Sequence, residues 1–245
     1  MAASFLLAMA NPALAQAPAV TPPSKLSWHG DAKAPDISGL WVRTDKGVGQ
    51  GSKEGWLPWP PPLKPQFEAI WHKRVADAAA GGRADDPVQG CLPPGMPRFM
   101  SGTNGPLLII QTPGRVMLYR ELAPVRRIWL AGPGLPKPAD LEGFSNGNAI
   151  GRYEGADLVT EVVGFKDYPI DGTGVPHSDA LKIVERFHRV DAKTLRVEIT
   201  LTDPIAFTGP MKTVVTYAAL DDPAWSPKEF LCTPKTDYHP EAYVR

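Results

Sequence analysis

The stretch Thr194–Thr202 constrains this chain most. Leu195, Val197, Ile199 and Leu201 alternate with Arg196, Glu198, Thr200 and Thr202, and a period of two places one set on each face of a strand. A strand that buries one face and wets the other belongs to an antiparallel sheet with water on one side. Eight further short runs read as strands: Gly39–Arg43, Leu107–Gln111, Val116–Glu121, Arg127–Ala131, Ala149–Glu154, Asp157–Phe165, Leu181–Val190 and Lys212–Ala219. Turn signals such as Thr112-Pro113-Gly114, Gly155-Ala156 and Asp191-Ala192-Lys193 separate them. Residues 65–80 are the one good helix candidate. Pro65 suits a first turn, Phe67, Ile70, Trp71 and Val75 recur at helical spacing, and Gly81-Gly82 ends it. The expected class is therefore mainly β, an antiparallel meander with one helix near the N-terminus. A long meander closes into a barrel to remove its edges, and no internal repeat points to a propeller.

Composition narrows the partners. The 245 residues carry 26 Lys and Arg against 26 Asp and Glu, which argues against a nucleic-acid surface. After the first twenty residues no run of about 18 apolar residues exists to span a membrane. The 23 glycines and 28 prolines fit a folded chain rich in turns.

Ser4–Ala10 is a short apolar stretch, and Ala13-Leu14-Ala15 has the small-x-small pattern of a signal-peptidase site. Residues 1–15 read as a signal peptide, 16–35 as a Pro/Ala linker and 36–245 as a single β-barrel domain. The expected location is periplasmic or secreted. Only Cys91 and Cys232 occur. In an oxidising compartment they most simply form a disulfide, closing about 140 residues for roughly 4–5 kcal/mol; two separate buried thiols are the alternative.

Asp36-Ile37-Ser38-Gly39-Leu40-Trp41 carries a G-x-W element that resembles the opening strand of lipocalin-like (calycin) barrels. The blocks Cys91–Arg98, Ile110–Gly114, Gly151–Gly155, Gly174–Ser178, Glu185–Phe187 and Asp203-Pro204 together resemble a large family of exported soil-bacterial proteins. Its members share C-x-P-x-G-x-P, G-R-[WY]-E-G, P-H-S and E-R-x-x-R elements in this order. Tyr153 stands where members commonly carry Trp. The resemblance implies a periplasmic lipocalin-like barrel and no particular reaction.

Within Asp171–Asp179, glycines and a proline shape a tight loop that leads His177, Ser178 and Asp179 into a strand. Histidine exchanges protons near neutral pH, which makes His177 the first candidate acid/base. The alternative has it locking the loop. Glu185 shares a parity with Leu181, Ile183 and Phe187, so its carboxylate points inward and needs a cation. Arg152 is the expected partner, either as a structural lock or as a ligand clamp. Arg98 could clamp an anion or face solvent. Trp56, Trp59, Tyr119 and Tyr153 offer aromatic surface for a planar ligand or for ordinary packing, with Ser178 a further ligand contact. No zinc-protease, Walker or haem motif occurs, so neither a metal nor a cofactor is expected.

Two functions follow nearly equally. One is an exported, cofactor-independent acid/base enzyme of lyase, isomerase or hydratase type, acting on a small apolar molecule, aromatic ones included, with His177, Glu185 and Arg152 in catalytic roles. The other is a non-catalytic periplasmic carrier of a hydrophobic small molecule. An envelope scaffold using the Trp56–Trp59 loop trails both, and the oligomeric state stays open.

Overall fold

Nine strands follow one another around a closed barrel: β1 Gly39–Arg43, β2 Leu107–Thr112, β3 Arg115–Tyr119, β4 Arg126–Trp129, β5 Asn148–Glu154, β6 Asp157–Val163, β7 Lys182–Arg189, β8 Thr194–Thr202 and β9 Met211–Ala219. The computed structural model describes residues 34–44, 57–82, 85–101, 105–112, 114–121, 123–130 and 143–225. The signal-peptide assignment, most of the linker, Trp56 and Cys232 lie outside these residues. β9 returns to pair with β1, Arg43 opposite Tyr217, so the described sheet has no free edge.

The alternation in β8 sets the inside of the barrel. Leu195, Val197, Ile199 and Leu201 are fully buried, as are Ile183 and Phe187 on β7 and Leu118 and Ile128 on β3 and β4. Each such side chain contributes about 1.5–3 kcal/mol of burial. One seam departs from expectation. β4 and β5 run parallel, with Ile128 opposite Ala149 and Trp129 opposite Ile150, so the purely antiparallel meander is corrected to a mixed barrel. Parallel neighbours enter the barrel at the same end, so β5 starts where β4 starts.

Gly151 lies on the inner face beside this seam. A Cβ there would sit 2.7 Å from Ile128 Cγ2 and 3.1 Å from Leu158 Cδ1. Gly151→Val is therefore expected to cost about 1–3 kcal/mol through overpacking. Denaturant unfolding checks this, and an unchanged midpoint would show that the interior yields.

Chain segments cover both ends. At the end where β1 begins, Ile37 is buried and its N–H donates to Gln111 Oε1 (2.7 Å). Gln111 Nε2 in turn donates to Pro35 O (3.0 Å) and Tyr153 Oη (2.8 Å). At the end where β2 begins and β3 finishes, a single 3-10 turn, Arg98–Ser101, buries Phe99 and Met100 completely. Helix α1, Pro65–Ala79, packs on the outside. Of its apolar residues Trp71 is buried while Ile70 and Val75 are exposed. Trp71 Nε1 donates to Thr173 Oγ1 (3.3 Å) and Arg74 Nη1 to Gly174 O (3.1 Å), tying the helix to the loop before β7. No helix among the described residues is long and apolar enough to cross a membrane.

Candidate functional site

Charged groups gather inside the barrel beneath the Arg98–Ser101 turn. Arg126 opens β4 on the same inward parity as Ile128, and Glu185 is central in β7. The two form a fork-to-fork ion pair: Arg126 Nη1 donates to Glu185 Oε1 at 2.8 Å and Nη2 donates to Oε2. Thr160 Oγ1 on neighbouring β6 donates to Oε2 at 2.6 Å. Glu185 is 0% exposed, so the pair and the hydroxyl together replace its hydration.

Arg120, the residue after β3, shares the inward parity of Val116 and Leu118 and is 2% exposed. Its Nη1 donates to Gly105 O (2.5 Å). Its Nε and Nη2 are buried without a hydrogen-bond partner. The Phe99 and Tyr217 rings flank the guanidinium, with centroids 5.9 and 6.0 Å from Cζ. Burial pushes this guanidinium below its ordinary range, with Tyr217 opposing the push and the nearby Arg43 charge adding to it; an arginine still carries its charge at neutral pH. Met100 bridges the two centres. Its carbonyl accepts from the Tyr217 hydroxyl, and its sulfur lies 3.7 Å from Arg126 Nη1.

The residues expected from the sequence are placed elsewhere, Glu185 apart. Arg152 is not the partner of Glu185. It lies on the outer face of β5, its side chain 54% exposed, bonded to Glu154 Oε1 (2.7 Å) and Glu161 Oε1 (3.0 Å). The inner positions of β5 are Ala149, Gly151 and Tyr153, so the apolar Ile150 that suggested an inward parity for Arg152 faces out. His177 is buried, with Nδ1 2.8 Å from Ser178 O and Nε2 3.1 Å from Lys166 O. Both ring nitrogens thus meet backbone carbonyls, and the ring packs edge-on against Phe165. Ser178 is held by Asp203: its N–H donates to Oδ2 (2.6 Å) and its hydroxyl to Oδ1 (2.7 Å).

Arg98 is buried rather than solvent-facing, and its fork is taken by Asp86, with Nη1–Oδ1 2.6 Å. Asp171, whose side chain accepts from Thr173 and Val175, is pushed up by burial. Tyr153 packs against the core and accepts from Gln111. Tyr119 is on the outward parity of β3. Trp59 is 40% exposed and stacks edge-on against Trp71 at 5.0 Å. The described residues bring together Glu185 but neither His177 nor Arg152.

Sequence reasoning missed Arg120, Arg126 and Tyr217, although each continues an inward apolar parity, that of Val116 and Leu118, of Ile128 and of Val215. It also missed a G-x-S-x-G spacing at Gly143-Phe144-Ser145-Asn146-Gly147. A nucleophile elbow needs a strand-to-helix turn, whereas this segment is a turn leading into strand β5, with Asn146 Nδ2 donating to Pro124 O (3.0 Å). Among the described residues no three His, Cys, Asp or Glu side chains group as a metal site. No protein-family model, curated protein or solved structure matches the chain.

Proposed function

We propose that this chain is an exported binding protein, a lipocalin-like barrel of carrier type that holds a small organic molecule at the barrel end covered by Phe99 and Met100. The supporting observation is the charge inside that end: two guanidinium groups, Arg120 and Arg126, are buried, and the one buried carboxylate there, Glu185, is taken by Arg126. A barrel closed only for stability gains nothing from a buried cation without a counter-charge, because desolvating it costs several kcal/mol. Membership of the exported soil-bacterial family, the cleaved leader and a Cys91–Cys232 disulfide belong to the same proposal.

Binding has better support than turnover. Acid/base catalysis through His177 would require the ring to leave both carbonyls, and Glu185 is held by Arg126 and Thr160. The test is native mass spectrometry of protein purified from its own source, alongside melting curves of His177→Ala. A co-purified small molecule released on denaturation is the expected result, with a lower melting temperature for the variant. Absence of any bound molecule, together with turnover that vanishes in a variant melting like the wild type, would replace carriage with catalysis.

A further inference from the structure

The ligand's chemical class follows from the free edge of Arg120, an inference that rests on the binding reading. In a guanidinium, Nη1 lies on the side of Cδ, while Nε and Nη2 share the opposite edge with their N–H bonds parallel. Nη1 is used by Gly105 O (2.5 Å). The two unpaired nitrogens, Nε and Nη2, are therefore the two that form one side-on fork. This edge matches the two oxygens of a carboxylate.

The surroundings supply no internal anion. No carboxylate pairs with Arg120 among the described residues. Its neighbours are the Phe99 and Tyr217 rings, the neutral Tyr217 hydroxyl, which also interacts with the guanidinium, and a second cation, Arg43, which is turned to Ser101 O. An aromatic face about 6 Å away returns only part of the cost of desolvating a cation. Arg126 differs, because its terminal nitrogens are both satisfied by Glu185 and only Nε is left over.

With Glu185 balancing Arg126, one buried positive charge stays uncompensated, and that matches a monoanion. The adjoining rings and Met100 favour an apolar body behind the charge. We propose that the barrel binds a small apolar monocarboxylate, aryl or short-chain aliphatic, with the carboxylate seated on the Nε–Nη2 edge of Arg120.

Titration calorimetry with benzoate, benzamide, phenyl phosphate and octanoate tests this on the wild-type chain and on Arg120→Met and Arg120→Lys. Benzoate or octanoate is expected to bind wild type. Benzamide should bind about ten- to a hundredfold more weakly, as should the carboxylate to Arg120→Met, given what a charged hydrogen bond contributes. Arg120→Lys should recover only part of the loss, since an ammonium offers no fork. Melting provides the second readout. Without ligand, Arg120→Met should melt no lower than wild type, because the substitution removes an unpaired buried charge; a lower melting temperature would make Arg120 a structural lock.

Equal binding of benzoate and benzamide, unaffected by Arg120→Met, overturns the carboxylate assignment and leaves the binding reading intact. Tighter binding of phenyl phosphate overturns it in favour of a dianion. If none of the four compounds binds and no molecule co-purifies, both readings fall.

Discussion

Glu185→Ala is expected to destabilise the barrel by about 3–5 kcal/mol, because it strands the Arg126 guanidinium in the interior. The lost contacts are the Arg126 fork and the Thr160 hydroxyl at 2.6 Å, on a carboxylate that is 0% exposed. In a domain of this size that corresponds to a fall of about 6–20 °C in melting temperature, a large share of the 5–15 kcal/mol typical of a native fold. The double replacement Arg126→Met with Glu185→Leu should recover much of the loss, since apolar groups of similar volume often replace a buried pair at little cost. A double-mutant cycle measures the coupling. A Glu185→Ala protein that melts like wild type would show that the pair does not carry the interior. The same cycle separates folding from function, because Glu185 can be tested for ligand binding in the rescued background.

The second large effect is expected at Asp203, with a defined pH dependence. Burial alone would raise this carboxyl, but Ser178 N–H and O–H together with the Ile205 and Ala206 N–H groups donate to it and hold it below the usual range. A carboxyl depressed in the folded state stabilises above its unfolded pKa of about 3.9, and that stability is lost as pH falls through the folded value. Asp203→Ala should cost about 2–4 kcal/mol at neutral pH by leaving these donors unpaired. Asp203→Asn should flatten the acid limb of the stability profile between about pH 5 and pH 2. The exposed Glu154 and the half-buried surface carboxylate Glu161 are also depressed, by Arg186 with Arg152 and by Lys182 with Arg152 respectively. Solvent screens such surface pairs, so their share is small. Asp171 acts in the opposite sense: raised by burial, it favours the fold at low pH and opposes it as pH rises through its folded value. An unchanged acid limb in Asp203→Asn would assign the dependence to the surface network instead.

The loop carrying His177 and Ser178 depends on this clamp. Asp203 therefore connects two of the sequence blocks that carry the family resemblance, the one ending at Ser178 and the pair Asp203-Pro204. Other blocks meet as well: Gln111 bonds Tyr153, and Arg186 bonds Glu154 (2.7 Å). Their order along the chain was legible. Their mutual contacts were not, because linear order carries no distance.

Residue patterning placed all nine strands to within about two residues and, through helical spacing, one helix to within one, since the period of apolar residues along a backbone dictates which face meets the core. The same rule put Glu185 inside. It failed on the partner. β5 turns Ala149 and Gly151 inward where the parallel seam leaves no room for a larger inner residue, so its bulkier side chains, Ile150 and Arg152, face outward and mimic a core face. The residue that meets Glu185 is Arg126, 59 positions away in sequence and on a strand that pairs with neither β7 nor its neighbour β6. The chain alone determined the strands, their inward faces and the presence of a carboxylate among apolar side chains, because these depend on local stereochemistry and burial. Closure of the barrel decided which cations share that interior, and which one, Arg120, is left with an open edge, because groups on strands that never pair are brought across from one another only when the sheet curls shut.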